Sequence, residues 1–478
     1  MGLKKNIIYS SVLTTSNYIF PLIVYPYVSR VLGVSNIGIC NFIDGIIHYF
    51  ILFSMMGVTI MGTREIAASR NNSDLLERRY SSILALNGIT TFIAVMGLLI
   101  ATVLVPELWE NRKMMLYGGV KLLSSYLLIE WFYKGIEEFR YITVRTIFVK
   151  LLYVISVFIF VRQSDDYSIY YLLTCLMVTG NAVINFIHAH KYVKFRFYLI
   201  SIKDYLKPFF TLGSYMLITS MCTTFNVVYL GFLTNDTQVG YYTTATKLYT
   251  ILLALFTGVT SVILPRMSSL LAENRMNEYV SLLKKSTSVL FSFSIPAIIF
   301  VIIFAQQIVL TLSGPGYEGA IMPMRIVIPL MLIIGYEQII VIQGLMPLRK
   351  DKEVMINSTV GACVSVILNY LLVSRLQSIG SAIVWVCSEF VILILSQIVL
   401  TRNIHISFPF KAFIKNCLGY LPLAIILLIL TRLMSNVNYI IALLISGIVM
   451  VVYTLLLQIC LLKNTIIINF IHSILHRK

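Results

Sequence analysis

"MGVTIMGTREIAASRNNSDLLERRYSSIL" (56–84) has an echo two hundred residues on, "TGVTSVILPRMSSLLAENRMNEYVSLLKK" (257–285). Gly57-Val58-Thr59 aligns with Gly258-Val259-Thr260, and Arg64 with Arg266. Upstream, "LGVSNIG" ending at Gly38 matches "LTNDTQVG" ending at Gly240. Downstream, "KGIEEFR" (134–140) matches "QGLMPLR" (343–349), each with five residues from glycine to arginine. Three matches in chain order mark a duplicated unit, the kind of self-similarity that decides an architecture.

The flanking composition says what is duplicated. The chain has 478 residues, 58% hydrophobic and only 12% charged, with a mean hydropathy of +0.88. Soluble domains carry about 25% charged residues. A chain this apolar cannot cover itself in water, so the expectation is an all-α polytopic membrane protein. A span needs about 20 mostly apolar residues. Fourteen segments qualify, at approximately 7–31, 37–61, 81–105, 114–133, 141–161, 169–189, 208–233, 240–264, 286–310, 321–346, 354–373, 380–401, 415–433 and 438–462. The repeat offset equals six spans. Six is even, so the halves run in the same orientation, as parallel repeats about an axis along the membrane normal. The expected organisation is 1–207 (helices 1–6), 208–410 (helices 7–12) and 411–478 (two added helices and a tail). The two six-helix bundles would flank a central cavity suited to alternating access. The tail "NTIIINFIHSILHRK" (464–478) reads as a short amphipathic helix lying on the inner surface.

The net charge of +17 reports topology rather than nucleic-acid binding. Alternate loops, with both termini, collect 27 of the 37 Lys and Arg residues, and the opposite loops collect eight. That asymmetry places both termini in the cytoplasm. The N-terminal run is long, contains Pro21 and Pro26 and lacks a small-residue cleavage site, so it reads as an uncleaved first span. Seven scattered cysteines form no CxxC pair, which supports neither a disulfide framework nor a zinc site. No GxxxxGK[ST], GxSxG or HExxH motif is present, and no cofactor is called for. Energy would come from a gradient, the membrane potential or downstream consumption of product.

The blocks "SRVLGVSNIG" (29–38), "GVTIMGTREIAA" (57–68) and "EWFYKGIEEF" (130–139) resemble those of the polysaccharide-transporter (Wzx-type) flippases. That family lies within the multidrug/oligosaccharidyl-lipid/polysaccharide exporter superfamily. The resemblance covers the first twelve spans. It implies translocation of undecaprenyl-pyrophosphate-linked oligosaccharide, an O-antigen or capsule repeat unit, across the bacterial cytoplasmic (inner) membrane. A polysaccharide polymerase and a chain-length regulator are the corresponding partners.

Charges inside spans are costly and usually functional. Arg30, Lys121, Lys150, Lys247 and Arg325 are the candidates for handling a pyrophosphate, because cations facing a wet cavity offset the penalty on an anion. Their alternative roles are snorkelling to the interface or pairing with a carboxylate. Asp44 and His48, four apart on one helix face, are candidates for proton coupling or a structural interhelical pair. Glu337 and Glu389 are further buried carboxylate positions, with Glu337 joining the proton-coupling candidates. Glu130, nine residues from Lys121 and so on the opposite face, meets either a proton or sugar hydroxyl at the cavity mouth or a loop arginine. Trp131, Phe132 and Tyr133 are expected to anchor the span at the interface rather than stack on sugar.

Rival readings remain. A drug/cation antiporter would want a carboxylate-dominated cavity, whereas the candidate charges here are mostly basic. A peptidoglycan-precursor flippase shares the helix count. A membrane glycosyltransferase or polymerase should carry a large outer loop with acidic or arginine-rich catalytic residues, and the longest outer loops here are only about ten residues. The topology is directly testable. Alkaline phosphatase fused after Arg112 should be active and fused after Gly135 inactive; the reverse pattern would invert the orientation.

Overall fold

The computed structural model describes residues 3–462. Their regular structure is helical, with no strand among the described residues. In order the helices are α1 (Leu3–Met55), α2 (Val58–Ser69), α3 (Ser73–Leu104), α4 (Pro106–Glu110), α5 (Arg112–Leu127), α6 (Glu130–Gly135), α7 (Phe139–Phe160), α8 (Tyr167–Ala189) and α9 (Lys203–Ser220). There follow α10 (Thr224–Leu233), α11 (Asp236–Ala272), α12 (Met276–Ile303), α13 (Ala305–Ser313), α14 (Ile321–Val327), α15 (Leu330–Gln338), α16 (Asp351–Ile404), α17 (Phe410–Leu433) and α18 (Tyr439–Leu456). Helices satisfy their own backbone polar groups, which lipid cannot do for them.

Two helices are too long for one crossing. At 1.5 Å per residue, the 53 residues of α1 and the 54 of α16 would each reach about 80 Å. Both break where the backbone leaves helical space, α1 at Gly33 (φ 78°, ψ 169°) and α16 at Gln377 (φ 50°, ψ −126°). Counting each as two spans, and α5–α6, α9–α10 and α14–α15 as one each, gives fourteen among the described residues, the expected number. Phe92, Leu104, Phe160, Leu444 and Ile448 stand exposed on the outward faces, as lipid-facing residues should. The amphipathic tail lies outside the described residues.

The seventh span was expected as one helix, 208–233. It is broken instead: α9 and α10 meet at a bend of 55° across Met221–Thr223. The sequence there is Ser220-Met221-Cys222-Thr223-Thr224. The hydroxyls of Thr219, Ser220 and Thr223 turn back onto carbonyls of Tyr215, Leu217 and Ser220, competing with the helix ladder.

The chain forms two compact units, Met1–Gly240 and Tyr241–Lys478. α9 and α10 pack in the first: the Gly213 backbone lies on Met56, Gly45 faces Val228, and Gly231 faces the Phe42 ring. In the second, α17 is pinned to α12 by Tyr420 Oη donating to the Ser292 carbonyl at 3.1 Å. α18 is pinned to α17 by Tyr453 Oη donating to the Gly419 carbonyl at 2.8 Å.

The blocks that carry the family resemblance in the first unit are packing surfaces. A Cβ on Gly62 of α2 would stand 2.7 Å from the Trp131 ring, and one on Gly135 of α6 would stand 2.6 Å from Ile66. α2 and α6 therefore cross glycine against side chain, twice. Trp131, Phe132 and Tyr133 are 2%, 0% and 0% exposed, which corrects their expected role as interfacial anchors. The physical cause is Ile129, whose left-handed backbone (φ 35°, ψ 34°) ends α5 and turns α6 inward. Trp109, 49% exposed, is free to serve at an interface.

The duplicated glycines meet. A Cβ on Gly38 would stand 1.7 Å from the Asp236 carbonyl oxygen, and a Cβ on Gly240 would stand 2.2 Å from the Val34 carbonyl oxygen. In the repeat alignment Val34 corresponds to Asp236 and Gly38 to Gly240. Residue i touches j while its equivalent touches the equivalent of j, which is the signature of a twofold contact. Backbone so close leaves no room for a methyl group. Gly38→Ala should cost about 3 kcal/mol, the upper range for overpacking. Gly447, with nothing within 4 Å of its Cβ direction, should accept alanine freely. Thermal unfolding of the two variants in detergent checks both; equal midpoints would remove the close contact.

Candidate functional site

The in-span charges divide by how each is compensated. In the first unit, Lys121 of α5 reaches across to α1, where its Nζ donates to Asp44 Oδ1 at 2.5 Å. Lys121 is 14% exposed at its side chain and Asp44 39%. His48, one turn beyond Asp44, is exposed, so the structure joins Asp44 to Lys121 rather than to His48. Arg30 is also exposed.

A second, deeper group gathers between α1, α6, α7 and α8. Glu130 opens α6 and stands between two cations: Oε2 lies 3.4 Å from Lys134 Nζ, and Oε1 lies 3.5 Å from Arg145 Nη2. Arg145 is buried on α7, and its Nη1 donates to Asn181 Oδ1 of α8 at 2.6 Å. From the sequence, Arg145 counts as a loop residue; the helix starts at Phe139, which carries it about 9 Å inside. A run of charge-free residues on either side was the only available signal, and span boundaries good to a few residues hide it.

Five residues on, Lys150 is 9% exposed. Its Nζ donates to Ser16 Oγ at 3.2 Å and Asn17 Oδ1 at 2.5 Å, both from α1, and lies 5.7 Å from the centre of the Phe20 ring. These partners are neutral. Among the described residues, Lys150 has no carboxylate within ion-pair distance. Ser, Asn and a ring face solvate an ammonium without cancelling its charge.

In the second unit, half-buried Glu337 and buried Glu389 are neighbours, brought together from α15 and α16. Trp385 Nε1 donates to Glu389 Oε1 at 3.1 Å, and Tyr249 packs edge-on against the Trp385 ring. Sequence reading placed both acids in spans without pairing them. Arg325 donates from Nε to the Ile302 carbonyl at 3.1 Å, and Lys247 is half-buried on α11. Among the described residues no group of three or more His, Cys, Asp or Glu is placed to hold a metal ion.

Residues 3–271, more than half of the chain, match the family described as "Polysaccharide biosynthesis protein". The chain belongs to the polysaccharide biosynthesis protein family. The chain is 27% identical over 394 residues to an Escherichia coli (strain K12) protein named "Putative O-antigen transporter", covering 81% of this chain and 94% of that one. A protein of the same name from Shigella dysenteriae is 25% identical over 284 residues, 56% of this chain and 68% of that one. The fold matches "Lipid II flippase MurJ, inward closed conformation" with a TM-score of 0.75 at 17% identity, over 95% of this chain and 100% of that one. It also matches an inward-facing multidrug resistance MATE family transporter of the MOP superfamily, with a TM-score of 0.64 at 13% identity, over 82% and 98%. At such identities these two likenesses speak for the fold.

The Lys121–Asp44 pair can be weighed by a double-mutant cycle with Lys121→Met and Asp44→Asn. Each single change strands a charge or its partner, so the double variant should be more stable than additivity allows. The expected coupling is about 1–2 kcal/mol, below the 3–5 kcal/mol cost of breaking a sealed pair because Asp44 is part-exposed. Additive unfolding midpoints would mean that the contact contributes nothing.

Proposed function

We propose that this protein flips undecaprenyl-pyrophosphate-linked oligosaccharide, an O-antigen or capsule repeat unit, across the bacterial cytoplasmic membrane by alternating access. Membership of the polysaccharide biosynthesis family, the names of its curated relatives and a fold shared with the protein titled "Lipid II flippase MurJ" support that reading. The observation that carries it is Lys150. An ammonium whose direct partners in a span are all neutral is expensive unless it meets an anion during the working cycle. A pyrophosphate is such an anion, and it must cross a medium that penalises it. Arg30, Lys121, Lys247 and Arg325 complete the basic set along its path, with Lys121 held in readiness by Asp44.

Both termini lie in the cytoplasm in this reading. Outward movement of a negative group then runs with an inside-negative potential, worth about 2.3 kcal/mol per charge per 100 mV. Glu337, with Glu389 beside it, and Asp44, His48 and Glu130 supply carboxylate and imidazole stations for a coupled return of charge. A polymerase and a chain-length regulator would take up the product on the outer side.

The test is flipping of a fluorescent undecaprenyl-pyrophosphate oligosaccharide in reconstituted liposomes. Lys150→Ala should slow flipping by about ten- to a hundredfold, the value of one or two charge-assisted hydrogen bonds, while keeping the wild-type unfolding midpoint. Undiminished flipping would return Lys150 to a packing role. Transport of organic cations in place of the lipid by the wild type would overturn the reading as a whole.

A further inference from the structure

Arg145 is the most deeply buried cation of the group around Glu130, with a side chain only 4% exposed. One of its five N–H donors is accounted for by the 2.6 Å bond from Nη1 to Asn181. Nε and Nη2 are buried and have no hydrogen-bond acceptor. These two atoms form one edge of the guanidinium, and their parallel N–H bonds match the paired oxygens of a phosphate or carboxylate. Glu130 stands over that edge without engaging it: Oε1 is 3.5 Å from Nη2, within ion-pair range but outside hydrogen-bond geometry. Its other oxygen leans towards Lys134 at 3.4 Å.

The local charge balance points the same way. Glu130 also acts through space on Lys150, so one carboxylate serves Lys134, Arg145 and Lys150. The group is short of two negative charges. Lys150 lies about 7–8 Å further along α7 than Arg145, deeper into the span. Beside Arg145, the Thr146 hydroxyl is buried without a partner as well. Glu130 itself sits at a backbone break, directly after left-handed Ile129 and at the head of a six-residue helix, with 28% of its side chain exposed. It covers Arg145 and has room to move.

We propose that Arg145 is a substrate-binding residue whose Nε–Nη2 edge grips two oxygens of the carrier's pyrophosphate, and that Glu130 is a displaceable counter-ion that swings to Lys134 when the phosphate arrives. This rests on the flippase reading above and adds an entry grip to it, ahead of Lys150 on the same helix. No covalent step is involved.

The test measures binding of farnesyl pyrophosphate to the full-length protein in detergent, with farnesol as the uncharged control. Arg145→Lys keeps the charge and loses the fork; it should bind at least tenfold more weakly at an unchanged unfolding midpoint. Glu130→Gln removes the competitor; it should bind several-fold more tightly, and that gain should vanish in the double variant with Arg145→Lys. Wild-type affinity in Arg145→Lys would overturn the proposal, as would a Glu130→Gln variant that binds no more tightly. Where Arg145→Lys does not fold, Glu130→Gln alone decides, because a purely structural ion pair predicts lost stability and no gain in affinity. A wild type that binds farnesyl pyrophosphate no better than farnesol would instead bring down the flippase reading, a failure separate from that of the fork.

Discussion

Hydrocarbon offers a charged or hydrogen-bonding group nothing in return for leaving water, and every feature of this protein answers to that fact. The backbone answers with helices. The side chains answer in three ways. Lys121 is cancelled by Asp44 across two helices. Glu130 is shared loosely among cations that outnumber it. Lys150 is solvated by a serine, an asparagine and a ring face, with no carboxylate against it among the described residues. The first arrangement is stable as it stands. The other two leave positive charge over, and left-over charge in a membrane span is where an ionic cargo has most to gain.

The family-bearing blocks have a different job from the charges between them. "GTREIAA" and "EWFYKG" meet through Gly62 on Trp131 and Gly135 on Ile66. Such contacts tolerate almost no substitution, so they preserve a recognisable sequence while fixing the shape of the first unit. They place Glu130 at the turn between α5 and α6. The chemistry therefore borrows its position from a packing motif, and a match to the family reports on the frame more directly than on the cargo.

The frame was legible in the sequence because its signals are long. Fourteen apolar runs, two lysine-poor and lysine-rich sets of loops and a repeat offset survive errors of a few residues. The site was legible only in part. Lys150 stood out because it sits mid-span, and Lys121 because it is isolated. Arg145 did not, because five residues at a helix start separate a loop cation from a buried one. The nearness of Glu337 to Glu389 depends on how two distant spans face each other, which no local pattern encodes. The inward turn of Trp131 follows from one left-handed residue, and isoleucine gives no hint of that conformation. The break between α9 and α10 was readable in principle from its cluster of hydroxyls, yet hydropathy carries straight across it.

The reciprocal seating of Gly38 and Gly240 also bears on how such a chain can change over time. After a duplication, two copies ordinarily drift apart, each site on its own. Here each copy's backbone is the floor on which the other copy's glycine rests. A side chain gained at either glycine collides at once with the other segment's backbone, inside the first compact unit. The two segments are thus bound to a shared history at this point, because neither can change its glycine without the other giving way.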